Sequence, residues 1–251
     1  DRKNAIDIVR KHIFEPSMLI FLFLYILFAI CLRGAEAIDV DEFSFWASSV
    51  RRMVLFDKLP CLPQMDMSHA EYPPGMEFLM YVILKIAGSY NEWMLPFVHM
   101  VFLSALFMPF LYKLKFSAPI KCIVITGIII ASKSFLWFHY YSNVRVDFIL
   151  GATYAFAMYS VSRMAKCRND KVEYAVSIIN VILAANSLVL IKQAGRLFAL
   201  FVIVSLGVVV IMRGGYEKDA HKRLRGRIKW IFPLLLPFIT SELWKLKWTS
   251  Y

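Results

Sequence analysis

The sequence predicts an all-α, polytopic membrane protein, and three observations carry that expectation. Hydrophobic residues make up 59% of the 251 positions against 19% charged, more apolar than a water-soluble domain of this size sustains. The apolar residues gather into runs near the length that crosses about 30 Å of hydrocarbon. The 29 Lys and Arg, against 18 Asp and Glu, sit between those runs, so the positive balance points to membrane topology and not to nucleic acid.

The first run, Met18 to Leu32, follows Arg2, Lys3, Arg10 and Lys11 and precedes a long polar loop, residues 33–75. No small-residue cleavage site follows it, so it reads as retained. Met76 to Ala87 ends at Lys85 and Gly88 and is too short for a full crossing, so it reads as a half-helix or an interfacial helix. Met94 to Tyr112 carries Pro96 and Pro109, which bilayer helices tolerate where neighbours satisfy the freed carbonyls. Cys122 to Phe138, Val146 to Val161, Tyr174 to Ile191, Leu197 to Met212 and Trp230 to Leu243 bring the total to about seven spans.

Cations accumulate before the first span and in the segments Lys113 to Lys121, Arg163 to Lys171 and Arg213 to Lys229. These loops alternate with cation-poor ones if Met76 to Tyr112 contributes one net crossing, which places the basic loops in the cytoplasm. The loop 33–75 and the short loops 139–146 and 192–196 then share the outer face. The long loop carries Glu36, Asp39, Asp41, Glu42, Asp57, Asp66 and Glu71; the short ones carry Arg145, Lys192 and Arg196. Carboxylates opposite isolated cations suit a reaction in which a hydroxyl loses its proton while a phosphate leaves. Each residue also has a plainer reading. Loop acids solvate loops, Arg145 and Asp147 could form a local pair at a span end, and Lys192 could snorkel to the interface. Lys133, deep in an apolar span, is either functional or snorkelling.

Other chemistries find no foothold. Cys31, Cys61, Cys122 and Cys167 are scattered singly, without CxxC or metal spacing. The five histidines are far apart, although His69 and His139 fall on the outer face. There is no phosphate-binding loop, dinucleotide turn or nucleophile elbow, and no internal repeat. The acids of "DVD", Asp39 to Asp41, raise the possibility of Mg²⁺ or Mn²⁺, but residues two apart share a side only in an extended segment, so a metal stays open.

"SHAEYPPGMEFLMY" begins at Ser68. Its paired prolines fix an extended entry to a helix opening at Gly75 or Met76 and would hold His69, Glu71 and Tyr72 at the membrane surface. Taken with "DEFSFW" and the amphipathic "ASSVRRMVLFDKLP", this order of motifs resembles the GT-C glycosyltransferases, in particular bacterial relatives of the protein O-mannosyltransferase and aminoarabinose transferase group. "HYYSNVRVDFILG" is similar to that family's outer-face Asp at a span start, and "LVLIKQAGRLFAL" to its Lys-containing turn. Phe45 stands where the pattern carries histidine.

The resemblance covers roughly Ala37 to Leu200 and implies a GT-C-like module over 1–251 in a bacterial plasma membrane, with its active site extracytoplasmic. It implies that Asp41 is the general base on the acceptor hydroxyl, with Glu42 as orienting partner or substitute. Asp39, Trp46, Glu71 and Tyr72 join the substrate site. Lys192, with Arg145 or Arg196, would hold the phosphate of a polyprenyl-phosphate-linked sugar, and Asp147 and His69 would contact sugar hydroxyls. The acceptor would be a glycan, lipid or protein, and the transfer inverting. Similar proteins extend further, so the chain reads as truncated at both ends. A lipid or sugar transporter, or a non-catalytic subunit of envelope polysaccharide assembly, is the rival reading.

Overall fold

The computed structural model describes residues 14–59, 72–111, 114–132, 144–167, 171–214, 235–239 and 242–243. Among these residues every regular element is helical and there is no strand. Lys133, His139 and Cys61 lie outside them. The chain divides into two compact units, Asp1–Arg51 with Met80–Arg145, and Arg52–Leu79 with Val146–Tyr251.

The first unit is built on α1 (Pro16–Cys31). Proline fits its first position because the N–H it lacks would be unpaired there anyway. Ser17, Leu24 and Phe28 form its buried stripe. A turn through Gly34, whose φ of +83° suits a residue without Cβ, takes the chain away from the helix end. A wide π-helical turn, Glu42–Trp46, runs into α2 (Ala47–Phe56). Phe45, Trp46, Ala47, Val50 and Met53 are buried while Leu55 and Phe56 are exposed, and α2 ends at Asp57 with φ +52°. α1 packs on α4 (Met94–Leu111), with Tyr25 edge-on to Phe97 at 5.1 Å. The first two turns of α4 are buried nearly all round, from Leu95 through Met100. α5 (Pro119–Ser132) touches α1 and α4 only lightly, leaving Ile120, Ile123, Val124 and Ile128 exposed.

α3 (Gly75–Ala87) begins at glycine for a steric reason. A Cβ on Gly75 would stand 2.6 Å from the carbonyl oxygen of Leu190.

The second unit holds three mutually packed helices, α6 (Asp147–Lys166), α7 (Lys171–Ile191) and α8 (Gly195–Gly214). α6 buries Ile149, Thr153, Ala157, Ser160 and Met164, the three-to-four spacing of one helix face. Arg163 near its end pairs with Glu173 in the first turn of α7. The α7–α8 connection is so tight that a Cβ on Gly195 would fall 1.7 Å from the Leu188 carbonyl oxygen, and such a short link makes the two helices antiparallel neighbours.

Among the described residues, two helices, Met94–Leu111 and Val172–Ile191, are long and apolar enough to cross a membrane. Pro16–Cys31, Pro119–Ala131 and Gly195–Val210 are apolar but shorter. α6 has the length but carries Asp147, Arg163 and Lys166. The run Trp230 to Leu243 lies largely outside the described residues.

Candidate functional site

The acidic motif is a helix start. The chain turns helical at Val40, so Asp39 takes the N-cap position and Glu42 the third helical one, where a carboxyl can reach back to the cap. Asp39 Oδ1 accepts from Asp41 N at 3.1 Å, and Glu42 Oε2 accepts from Asp39 N and Ile38 N, both at 2.9 Å. Glu42 is buried, and its other oxygen accepts from Val144 N at 2.8 Å, a contact 102 residues away in the chain. Three peptide N–H groups thus solvate this carboxylate in place of water.

Val144 brings Arg145 with it. The Arg145 Nη2 donates to both oxygens of Asp39, at 2.9 and 2.8 Å, and Nε lies 3.3 Å from Asp41 Oδ2. The three acids therefore have different environments. Glu42 is tied to backbone, Asp39 to the cap and the guanidinium, and Asp41 stands at the edge with its side chain 57% exposed. A recess beside Glu42 is lined by Glu36, Glu92, Leu95 and Pro96, and Glu92 accepts from Ala37 N at 3.1 Å. Nearby, Arg51 lies 6.0 Å from the Tyr90 ring centre. Burial first, and then the charge of Glu92, push the Tyr90 hydroxyl up to about 12 against the pull of Arg51.

Trp46 is buried and packs edge-on against Phe45 at 4.7 Å. Phe45 is itself core, so the position where the family resemblance carries histidine is an interior one here.

In the second unit, Lys192 Nζ donates to Asp147 Oδ1 at 2.6 Å, joining the α7–α8 turn to the start of α6. Arg196 Nη1 lies 3.7 Å from Glu242. Tyr72 is half-buried. His69 and Glu71 lie outside the described residues. The structure thus brings Asp39, Asp41, Glu42 and Arg145 together in one unit, and Asp147 with Lys192 in the other. Arg145 pairs with the loop acids Asp39 and Asp41, and Asp147 with Lys192.

Among the described residues, no group of three or more His, Cys, Asp or Glu could hold a metal ion. The oxygens of Asp39 and Glu42 already accept from donors, leaving Asp41 as the main oxygen source for a cation that takes about six ligands.

One acid escaped the sequence reading. Glu77, in the first turn of α3, is fully buried with neither oxygen in a hydrogen bond. Burial pushes its carboxyl from 4.5 up to about 8, opposed only by its own backbone N–H. The signal was "PPGME": a helix opening directly after a rigid step carries its first-turn acid wherever that step packs.

The chain matches no family model, and comparison with curated proteins and with solved structures finds no match.

Proposed function

We propose that the protein is an integral membrane glycosyltransferase with about seven spans, similar to the GT-C group. It moves a sugar from a polyprenyl phosphate to an acceptor hydroxyl on the extracytoplasmic face. The observation that carries the reading is the division of labour in "DVDE". Asp39 and Glu42 are committed to the cap, Arg145 and Val144, while Asp41 keeps an exposed carboxylate beside a guanidinium. A general base needs a fixed carboxylate that still reaches the substrate, and Asp41 answers that description.

In the proposed reaction Asp41 accepts the acceptor's proton as its oxygen attacks the anomeric carbon. The bond from that carbon to the phosphate oxygen breaks, and the polyprenyl phosphate leaves as an anion that needs charge stabilisation and no proton. Attack opposite the leaving group inverts the centre. Glu42 is a positioning residue through its three amides, and Arg145 orients Asp41. The resemblance to the GT-C group would give Lys192, which pairs with Asp147 at the α7–α8 turn, a part in holding the donor phosphate.

Purified protein is incubated with a labelled polyprenyl-phosphate sugar, and release of free polyprenyl phosphate is measured. Asp41→Asn should lower the rate on the order of 10²- to 10⁴-fold while costing no more than about 1 kcal/mol of stability. Equal turnover in the variant ends the base assignment. Donor moved across a vesicle membrane intact, with no release, favours the transporter reading instead.

A further inference from the structure

The first unit carries a groove that the transfer chemistry does not use. It lies between the first turns of α1 and the start of α5, holds ≈ 310 Å³, and is lined by Leu19, Ile20 and Phe23 on one side and Phe116, Cys122 and Ile123 on the other. Because α5 leans only lightly on α1, these side chains stay open. Phe23, Phe116 and Ile123 are each more than half exposed. The volume falls at the lower end of small-ligand sites, roughly 300–1,000 Å³.

The exposed charges next to its α5 side are both cations. Lys115 precedes Phe116, and Cys122 Sγ lies 4.0 Å from the Lys115 carbonyl oxygen; Lys121 precedes Cys122. Both lysines are exposed, and residues 114–132 contain no acid. Glu15, the acid beside Pro16, is itself engaged in the structure. An apolar slot whose lining residues Phe116 and Cys122 each follow an exposed lysine in the chain complements an amphiphile with an apolar chain and an anionic head.

We propose that this groove binds an anionic diacyl phospholipid, with one acyl chain against Leu19, Phe23 and Ile123 and its phosphate at Lys115 and Lys121. The site rests on the membrane reading of the chain and is independent of glycosyl transfer. By the same topology both helix starts face the cytoplasm, where anionic lipids supply the surface potential that lysines read. A zwitterionic lipid fills the slot equally well but gains nothing from the lysines, so the expected signature is headgroup preference.

The test uses the full chain. Alkaline carbonate washing of membranes comes first. Protein released into the soluble fraction overturns both the membrane reading and this site. Membrane-retained protein is reconstituted in nanodiscs of equal dioleoyl phosphatidylglycerol and dioleoyl phosphatidylcholine, released gently, and the co-retained lipid weighed by native mass spectrometry. Phosphatidylglycerol should be retained in preference. Lys115→Gln and Lys121→Gln should each lower that preference about five-fold. Leu19→Trp, which fills the slot, should abolish retention, whereas Ile128→Trp, on the exposed far part of α5, should not. Equal retention of the two lipids by the wild type, or equal loss in Leu19→Trp and Ile128→Trp, overturns the lipid site and leaves the membrane reading intact.

Discussion

Replacing Glu77 by glutamine should flatten the dependence of stability on pH. The carboxyl is fully buried, no other described residue donates a hydrogen bond to either oxygen, and burial holds its proton up to about pH 8 against an ordinary value of 4.5. The folded pKa is raised, so between about 4.5 and 8 the unfolded chain releases this proton while the folded protein keeps it. Stability therefore falls as pH rises through that window and levels off above it. At about 1.4 kcal/mol per pH unit, the step from pH 5 to pH 7 costs about 3 kcal/mol, or roughly 5–10 °C for a chain of this size. Glutamine keeps the shape and cannot ionise. Its buried amide costs about 1–3 kcal/mol of its own, but equally at every pH, so the slope and not the absolute stability is diagnostic. Thermal unfolding in detergent, followed by tryptophan fluorescence from pH 5 to pH 8, gives both curves. Parallel curves for wild type and Glu77→Gln refute the reasoning, because they would mean the carboxyl titrates alike folded and unfolded and so is hydrated.

Glu42→Gln should cost about 2–3 kcal/mol in thermal unfolding, since an amide offers one acceptor oxygen where the buried carboxylate serves three N–H groups. Asp147→Asn should change stability by less than about 1 kcal/mol, because the side chain facing Lys192 is 66% exposed, while raising the KM for the lipid-linked sugar in the release assay. Gly195→Ala should destabilise by about 3 kcal/mol, as the turn must open to clear the Leu188 carbonyl. Gly207→Ala, with nothing within 4 Å of the new Cβ in mid-helix, should stabilise by about 0.5–1 kcal/mol, and the two melting temperatures side by side check both.

The helices were legible because each apolar run is long and bounded by charge or proline. Met94 to Tyr112 reappears as Met94–Leu111, and Tyr174 to Ile191 as the body of Lys171–Ile191. Crossing is a stricter condition than helicity, and α1, with 16 residues, spans only about 24 Å at 1.5 Å per residue. In the site, the acids and Arg145 could be nominated from the chain but their pairing could not. Two chain neighbours, Arg145 and Asp147, point to different partners because Asp147 already belongs to α6 while Arg145 still belongs to the segment that Glu42 holds through Val144. A hydrogen bond from the Val144 amide to the Glu42 side chain, 102 residues away, leaves no trace in composition or spacing. Glu77 was missed for the same reason, since its burial is decided by what α3 lands on.

The acidic motif also shows how a structural reading and a catalytic one can be separated inside four residues. A helix cap of the pattern D-x-x-E needs Asp39 and Glu42 and is indifferent to what lies between. Asp41 has a plain role too: a first-turn acid meets the positive end of the helix dipole, worth about 0.3–1 kcal/mol, and its exposed contact with Arg145 adds no more than a surface ion pair does. If that were all, Asp41→Asn would shift stability slightly and leave sugar release untouched. Asp39→Ala provides the contrast, because it removes the side-chain oxygen that accepts from Asp41 N and the carboxylate that holds Arg145. Its loss in stability should exceed that of Asp41→Asn by about 1–2 kcal/mol, while residual transfer stays measurable because Asp41 is still present. The two variants should thus rank in opposite order by melting temperature and by release rate. The same ranking in both assays would make Asp41 part of the cap and nothing more.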